Sequence, residues 1–260
     1  DDKTANGQYG AYTSLVYLTP ILGGIVADKW LGRRSALVLG GLVMSLGHFL
    51  MAIQPAFLFA LVCLIVGVGL FKGNIASQVG ELYGPNDLRR AMAFQIFYIA
   101  IQVSVIVAPL ISGTLGENVG WHYGFGCAGV VMVLGLLIYL KAKPHMPADK
   151  PRTGTTQGLW MLLLGVAAFV VAALFLPTVV FALAIIAGLA WWIGKMDAPD
   201  RVRIIAIFVL IPALAVSLLP NQEIFNAYLV WADRQFDLTF FGTKLPTSWM
   251  ITLDSAFSFF

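Results

Sequence analysis

The sequence predicts an all-α, polytopic membrane protein, and three observations predict it. Hydrophobic residues make up 59% of the 260 positions and charged residues 11%, whereas an ordinary soluble domain is about 25% charged. The apolar residues gather into runs of about 20, the length needed to cross roughly 30 Å of hydrocarbon as a helix. Basic residues collect in alternate loops between those runs, the asymmetry that orients spans in a membrane.

The runs lie near residues 9–28, 35–53, 57–82, 90–115 and 121–141, then 158–176, 178–194 and 204–231, and another begins near 248. As one helix the stretch 158–194 would be about 55 Å long at 1.5 Å per residue, too long for one crossing. Pro177 breaks it into a hairpin. Assigning the loops alternately puts Lys29, Arg33, Arg34, Arg89, Arg90, Lys141, Lys143, Lys150, Arg152, Lys195, Arg201 and Arg203 together and leaves only Lys3, Arg234 and Lys244 opposite. The richer side is read as cytoplasmic. The first span then starts outside, so at least one further helix is expected upstream. The chain opens on Asp1 and stops inside the apolar "SAFSFF", and both ends read as cut from a longer protein. Residues 141–158, "KAKPHMPADKPRTGTTQG", read as a cytoplasmic linker. The expected organisation is a bundle over 1–143, a linker and two-helix hairpin over 144–203, and the start of a second bundle over 204–260.

Cys63 and Cys127 fall inside apolar runs and read as buried thiols rather than a disulfide framework. No metal-ligand spacing, phosphate loop or nucleophile motif occurs, so neither an enzyme nor a metal or organic cofactor is expected. The basic residues are split among membrane loops and do not form a nucleic-acid footprint.

Charged and polar residues inside the spans carry the chemistry. In "GGIVADKWLGRR", residues 23–34, the basic residues are either topology anchors or, with Asp28, a gate. In the gate reading Asp28 pairs with Lys29, Arg33 or Arg34 around Gly32 in one conformation and releases them in another. Lys72 lies in the run "LIVGVGLFKGNIASQVGELY", 11 residues before Tyr83, or about 16 Å from the cytoplasmic end and beyond a lysine's snorkelling reach. A lysine near mid-membrane costs about 2.5–3.5 kcal/mol even on the gentle insertion scale. Gly69, Gly73 and Ser77 form a small-residue face beside it, which favours the bundle interior. Gln95, Tyr98 and Gln102 form one polar stripe, either helix glue or cavity wall.

In "LLPNQEIFNAY" Pro220 removes a donor from the carbonyl of Val216 and is expected to bend the helix. Glu223 follows as a protonatable buried acid, with Gln222 and Asn226 on a polar face. Asp254 either faces a cavity, where it would meet an amino group, or is solvated. His48 and His122 lie near span ends, and neither is assigned a proton-relay role.

The loop 23–34 resembles the major facilitator superfamily pattern Gly-x-x-x-Asp-Arg/Lys…Gly-Arg/Lys-Arg/Lys, with one extra residue between Asp28 and Gly32 as in the proton-coupled oligopeptide transporter branch. "YTSLVYLTPILGG" (12–24), "LGH" (46–48), "FKGN" (71–74), "APLISGTLGENVGWHYGFG" (108–126) and "SW" (248–249) resemble that branch in order and spacing. The resemblance implies a partial major facilitator-type helical bundle, covering helices two to six, the hairpin between the halves found in bacterial members, helix seven and the start of helix eight. It implies proton-coupled symport of di- and tripeptides across the bacterial inner membrane by alternating access, with the proton as coupling ion and the bilayer as partner. Lys72 would meet the peptide carboxylate and Tyr17 would face the cavity. Tyr98 and Gln102 fall in "FYIAIQVS", where the family has Phe-Tyr-x-x-Ile-Asn-x-Gly; Gln102 and Ser104 depart from it. Glu223 matches a Phe-Glu-Gln-like segment, while counting back from Asp233 moves the match to Gln222. The family's first-helix Glu-x-x-Glu-Arg motif lies outside this sequence. A carrier for another small anion or zwitterion, or a non-transporting scaffold or sensor of the same fold, are the alternatives.

Overall fold

A computed structural model describes residues 2–84, 86–149, 151–162, 164–165, 178–223, 227–240 and 242–259. Helix α1 (Asp2–Val26) runs through Pro20 into a π-helical turn, Ala27–Leu31. Gly32 ends the turn at φ +80°, its N–H donating to the Ala27 carbonyl at 2.8 Å. That backbone region suits glycine, which has no Cβ to clash. Helices α2 (Arg33–Met51) and α3 (Phe57–Glu81) follow, then α4 (Arg89–Ala108), a second π turn (Pro109–Gly113), the short α5 (Thr114–Asn118) and α6 (Trp121–Ala142). Ahead of α4, the Asp87 carboxylate accepts from the Arg89 side chain and backbone N–H, and these bonds, the side-chain one foremost, hold its pKa below the ordinary value.

These helices supply five segments long and apolar enough to cross a membrane: 7–31, 33–51, 54–81, 89–118 and 121–145. Each overlaps a run expected from the sequence. Of the later runs, α7 (Thr178–Gly194) matches the second arm of the hairpin. Residues 156–162 are helical at the start of the first arm, most of which lies outside the described residues. The run 204–231 is covered by α8 (Ala198–Glu223) and α9 (Ala227–Gln235), and the last by α10 (Trp249–Phe259). Between α9 and α10 a small antiparallel hairpin pairs Thr239 with Lys244 and Phe240 with Thr243. Two-residue strands have no hydrophobic period of their own, and the all-α expectation stands apart from them.

The chain forms two compact units, Asp1–Thr153 with Gln235–Phe260, and Gly154–Arg234. In the first, α3 packs against both α1 and α2 through small residues. A Cβ on Gly40 would lie 2.8 Å from the Gly67 carbonyl, and one on Gly69 would lie 2.9 Å from Thr19 Cβ. A Cβ on Gly23 would collide with the Gly69 carbonyl. Hydrocarbon supplies no hydrophobic drive between helices, so such close approach, with the van der Waals contact it allows, holds them together. Thr19 adds a hydroxyl contact to the Ile65 carbonyl at 3.1 Å, and Tyr139 of α6 donates to Gln78 of α3 at 2.8 Å. Leu37 and Asn74 are fully buried at the centre, while Leu58, Phe59 and Val62 are exposed, as a lipid-facing surface requires.

Candidate functional site

Because α1 and α3 approach at glycine distance, side chains that flank the seam are forced together. Tyr17 on α1 and Lys72 on α3 flank it, and the Lys72 ammonium sits 4.4 Å from the centre of the Tyr17 ring. The ring face is the negative end of its quadrupole, so the pair is attractive by about 0.5–1 kcal/mol when exposed. Both side chains are exposed, Tyr17 to 57%. Among the described residues no carboxylate pairs with Lys72. The aromatic ring holds the ammonium in place without neutralising it, leaving its hydrogen-bond donors available to an anion.

The other expected site residues are spread over several elements. Tyr98 and Gln102 lie one turn apart on α4, Tyr98 exposed and edge-on to Phe97, Gln102 half-buried. Ser104, further along α4, donates back to the Ala100 carbonyl at 2.8 Å and lines an apolar cleft of about 630 Å³ with Leu37, Phe71, Val107 and Met132. Those walls suit acyl or aromatic groups rather than a zwitterion. Asp254 is half-buried on α10, which packs against α4. Pro220 lies in the last turn of α8 and Glu223 ends that helix; their side chains, and all of Asn226, lie outside the described residues.

The expected gating residues form a network at the start of α2. Arg33 donates to Asp28 at 2.7 Å and to Glu81 at 2.5 Å, so one guanidinium ties the turn after α1 to the end of α3. Lys29 stacks over the Trp30 ring at 5.9 Å. The Arg34 N–H donates to Asp149 at 3.0 Å and its guanidinium donates to the Met146 carbonyl, so the linker folds back onto α2. Gly32 serves a second purpose there, since a Cβ would run into the Asp149 carboxylate.

Sequence reading did not single out Glu81 or Asp149. Glu81 resembles any acid at a helix end, and only the packing of α3 on α2 places it beside Arg33. Asp149 carried a weak signal as the sole acid between Lys141 and Arg152 in the linker.

Comparison with known proteins decides the lineage. A model of the POT family (PTR2) matches residues 34–258. The chain belongs to the POT family. It is 29% identical over 290 residues to the peptide transporter YePEPT of Yersinia enterocolitica subsp. palearctica, covering 98% of this chain and 57% of that protein. It is 41% identical over 131 residues to the di-/tripeptide transporter of Lactococcus lactis subsp. lactis, covering 49% and 26%. A crystal structure of a peptide transporter POT in complex with sulfate superposes with a TM-score of 0.80 at 30% identity, over 95% of this chain and 56% of that one. The chain thus spans little more than half the length of the relatives that match it throughout. The POT fold is helical, and with five membrane-length helices among the described residues this chain is a multi-pass membrane protein. The relatives it matches are transporters, not enzymes.

Proposed function

We propose that the protein containing this chain is a proton-coupled carrier that moves di- and tripeptides across the bacterial inner membrane by alternating access. The observation that carries this reading is the exposed Lys72 ammonium stacked on Tyr17 with no carboxylate partner among the described residues. An ammonium deep in a span requires an anion, and a peptide C-terminal carboxylate supplies one. The names of the POT relatives point to the same substrate class. Tyr98, Gln102 and Asp254 are proposed to meet peptide backbone or amino groups, Glu223 and Asn226 to add a proton-sensitive polar face, and Pro220 to let that helix bend. The network of Asp28, Lys29, Gly32, Arg33 and Arg34 is proposed as the gate on the cytoplasmic side. Charge-assisted bonds of this kind break and re-form as two bundles rock.

The reading is tested by uptake of labelled dialanine into proteoliposomes holding the full-length protein. An inward proton gradient should drive accumulation, and uptake should fall to leak level when the gradient is collapsed. Absence of gradient-driven uptake by well-folded protein contradicts the assignment.

A further inference from the structure

Two of the stretches that carry the family resemblance, 108–126 and 248–249, are about 130 residues apart in the chain and have no part in the site above. The structure brings them together. Glu117 on α5 accepts from the backbone N–H of Thr247 at 2.7 Å and of Ser248 at 2.9 Å, one on each carboxylate oxygen. The Trp249 indole N–H donates to the Thr114 hydroxyl at 2.8 Å, while that hydroxyl donates to the Leu110 carbonyl of its own helix at 2.6 Å. Further along, Thr252 donates to the Ile106 carbonyl at 2.9 Å. Gly113 leaves room for Ser248, whose side chain a Cβ would strike. Four hydrogen bonds therefore join residues 247–252 to the stretch from Ile106 to Glu117, which rises about 16 Å at helical pitch.

The stripe spans the π turn Pro109–Gly113. Such turns shift the phase of a helix face and recur at functional sites. Glu117 also supplies a carboxylate to N–H groups at the start of α10 that have no partner inside that helix, the arrangement a helix N-terminus favours.

We infer that Glu117, Thr114 and the Ile106 carbonyl form a latch that holds residues 247–252 against the end of the α4–α5 span, and that this latch sets the outer closure of the carrier. This rests on the carrier reading above, in which α10 lies in the second half of the protein, α4–α5 lies in the first, and Glu117 lies at the end away from the basic loops. In the latched state α10 is pinned by its first turn, which fixes the depth and rotation of Asp254 beneath it. Release of that turn frees α10 to tilt away from α4 and admit solute from outside. Glu117 and Thr114 are positioning residues, since they act through α10.

The test uses the full-length protein with its native cysteines replaced and one reporter, Ser255→Cys, at a position now 5% exposed on α10. The reporter is probed from outside with a membrane-impermeant maleimide. Glu117→Ala removes both hydrogen bonds and should speed its labelling at least about tenfold, the size of losing even one hydrogen bond to a charged group. Thr114→Val, which keeps the shape and removes the acceptor, should speed it several-fold, and Glu117→Gln should lie between wild type and Glu117→Ala. A second reporter, Ser45→Cys in α2, 4% exposed, should stay unlabelled throughout. Unchanged labelling of Ser255→Cys, or equal acceleration at both reporters, overturns the latch. If Glu117→Ala fails to assemble, Thr114→Val decides alone. Dialanine uptake in the same vesicles separates the two readings. Uptake without accelerated labelling removes the latch and keeps the carrier, while accelerated labelling in a protein that moves no dialanine keeps the latch and removes the peptide assignment.

Discussion

Lys72 places a full charge on a helix that is apolar through most of its first four turns, and the Tyr17 ring is the group the structure sets against it. A ring face attracts an ammonium without supplying a counter-charge, so the pair orients Lys72 rather than satisfying it. Substitution of Tyr17 should therefore follow the π system. Tyr17→Phe keeps the ring and should leave the apparent affinity for dialanine within about twofold, whereas Tyr17→Leu forfeits about 0.5–1 kcal/mol and should weaken it two- to fivefold. Concentration-dependent uptake measures both, and equal loss in the two variants would mean the ring has no role in placing Lys72.

At the scale of elements, two seams position these residues. The α1–α3 seam closes because Gly23 and Gly69 bring backbone against backbone. Gly23→Ala should cost about 1–3 kcal/mol through overpacking, seen as a lower Tm of the full-length protein in detergent. Gly24→Ala, next to it but with nothing within 4 Å of its added carbon, should leave the Tm almost unchanged. At the start of α2, Arg33 bridges two acids at once. Glu81→Gln should slow turnover comparably to Asp28→Asn, and the double variant should be little worse than either, because residues sharing one partner do not add. Strict additivity of the two effects would show that Arg33 does not couple them. This seam also shows where sequence reading stops. The apolar runs and basic loops mark the spans because hydrocarbon thickness and charge leave a local imprint on composition. The partners of Arg33 and Arg34 leave none, since Glu81 is brought in by helix packing from 48 residues away in the chain and Asp149 by the linker folding back from 115 residues away. The two π turns are equally hidden, because one offset backbone hydrogen bond changes no residue type. Lys72 and Tyr17 each stand out in sequence as polar groups in apolar runs, yet their contact depends on the glycine seam between them.

For the whole molecule, the orientation read from the basic loops makes a direct prediction. Cysteine placed at Asn86, in the exposed loop before α4, should be shielded from an impermeant thiol reagent in intact cells, while Asp237→Cys, exposed near the small hairpin, should react. The reverse pattern would invert the topology and with it the proposed direction of transport. Within that topology the central claim is that Lys72 meets the carboxylate of a peptide. The most direct measurement is equilibrium binding of dialanine and of dialanine amide, which lacks the carboxylate, to the full-length wild type and to Lys72→Ala. The wild type should prefer dialanine by about tenfold or more, the value of one hydrogen bond to a charged group, and Lys72→Ala should bind both ligands weakly and alike. A preference that survives intact in Lys72→Ala would contradict the account.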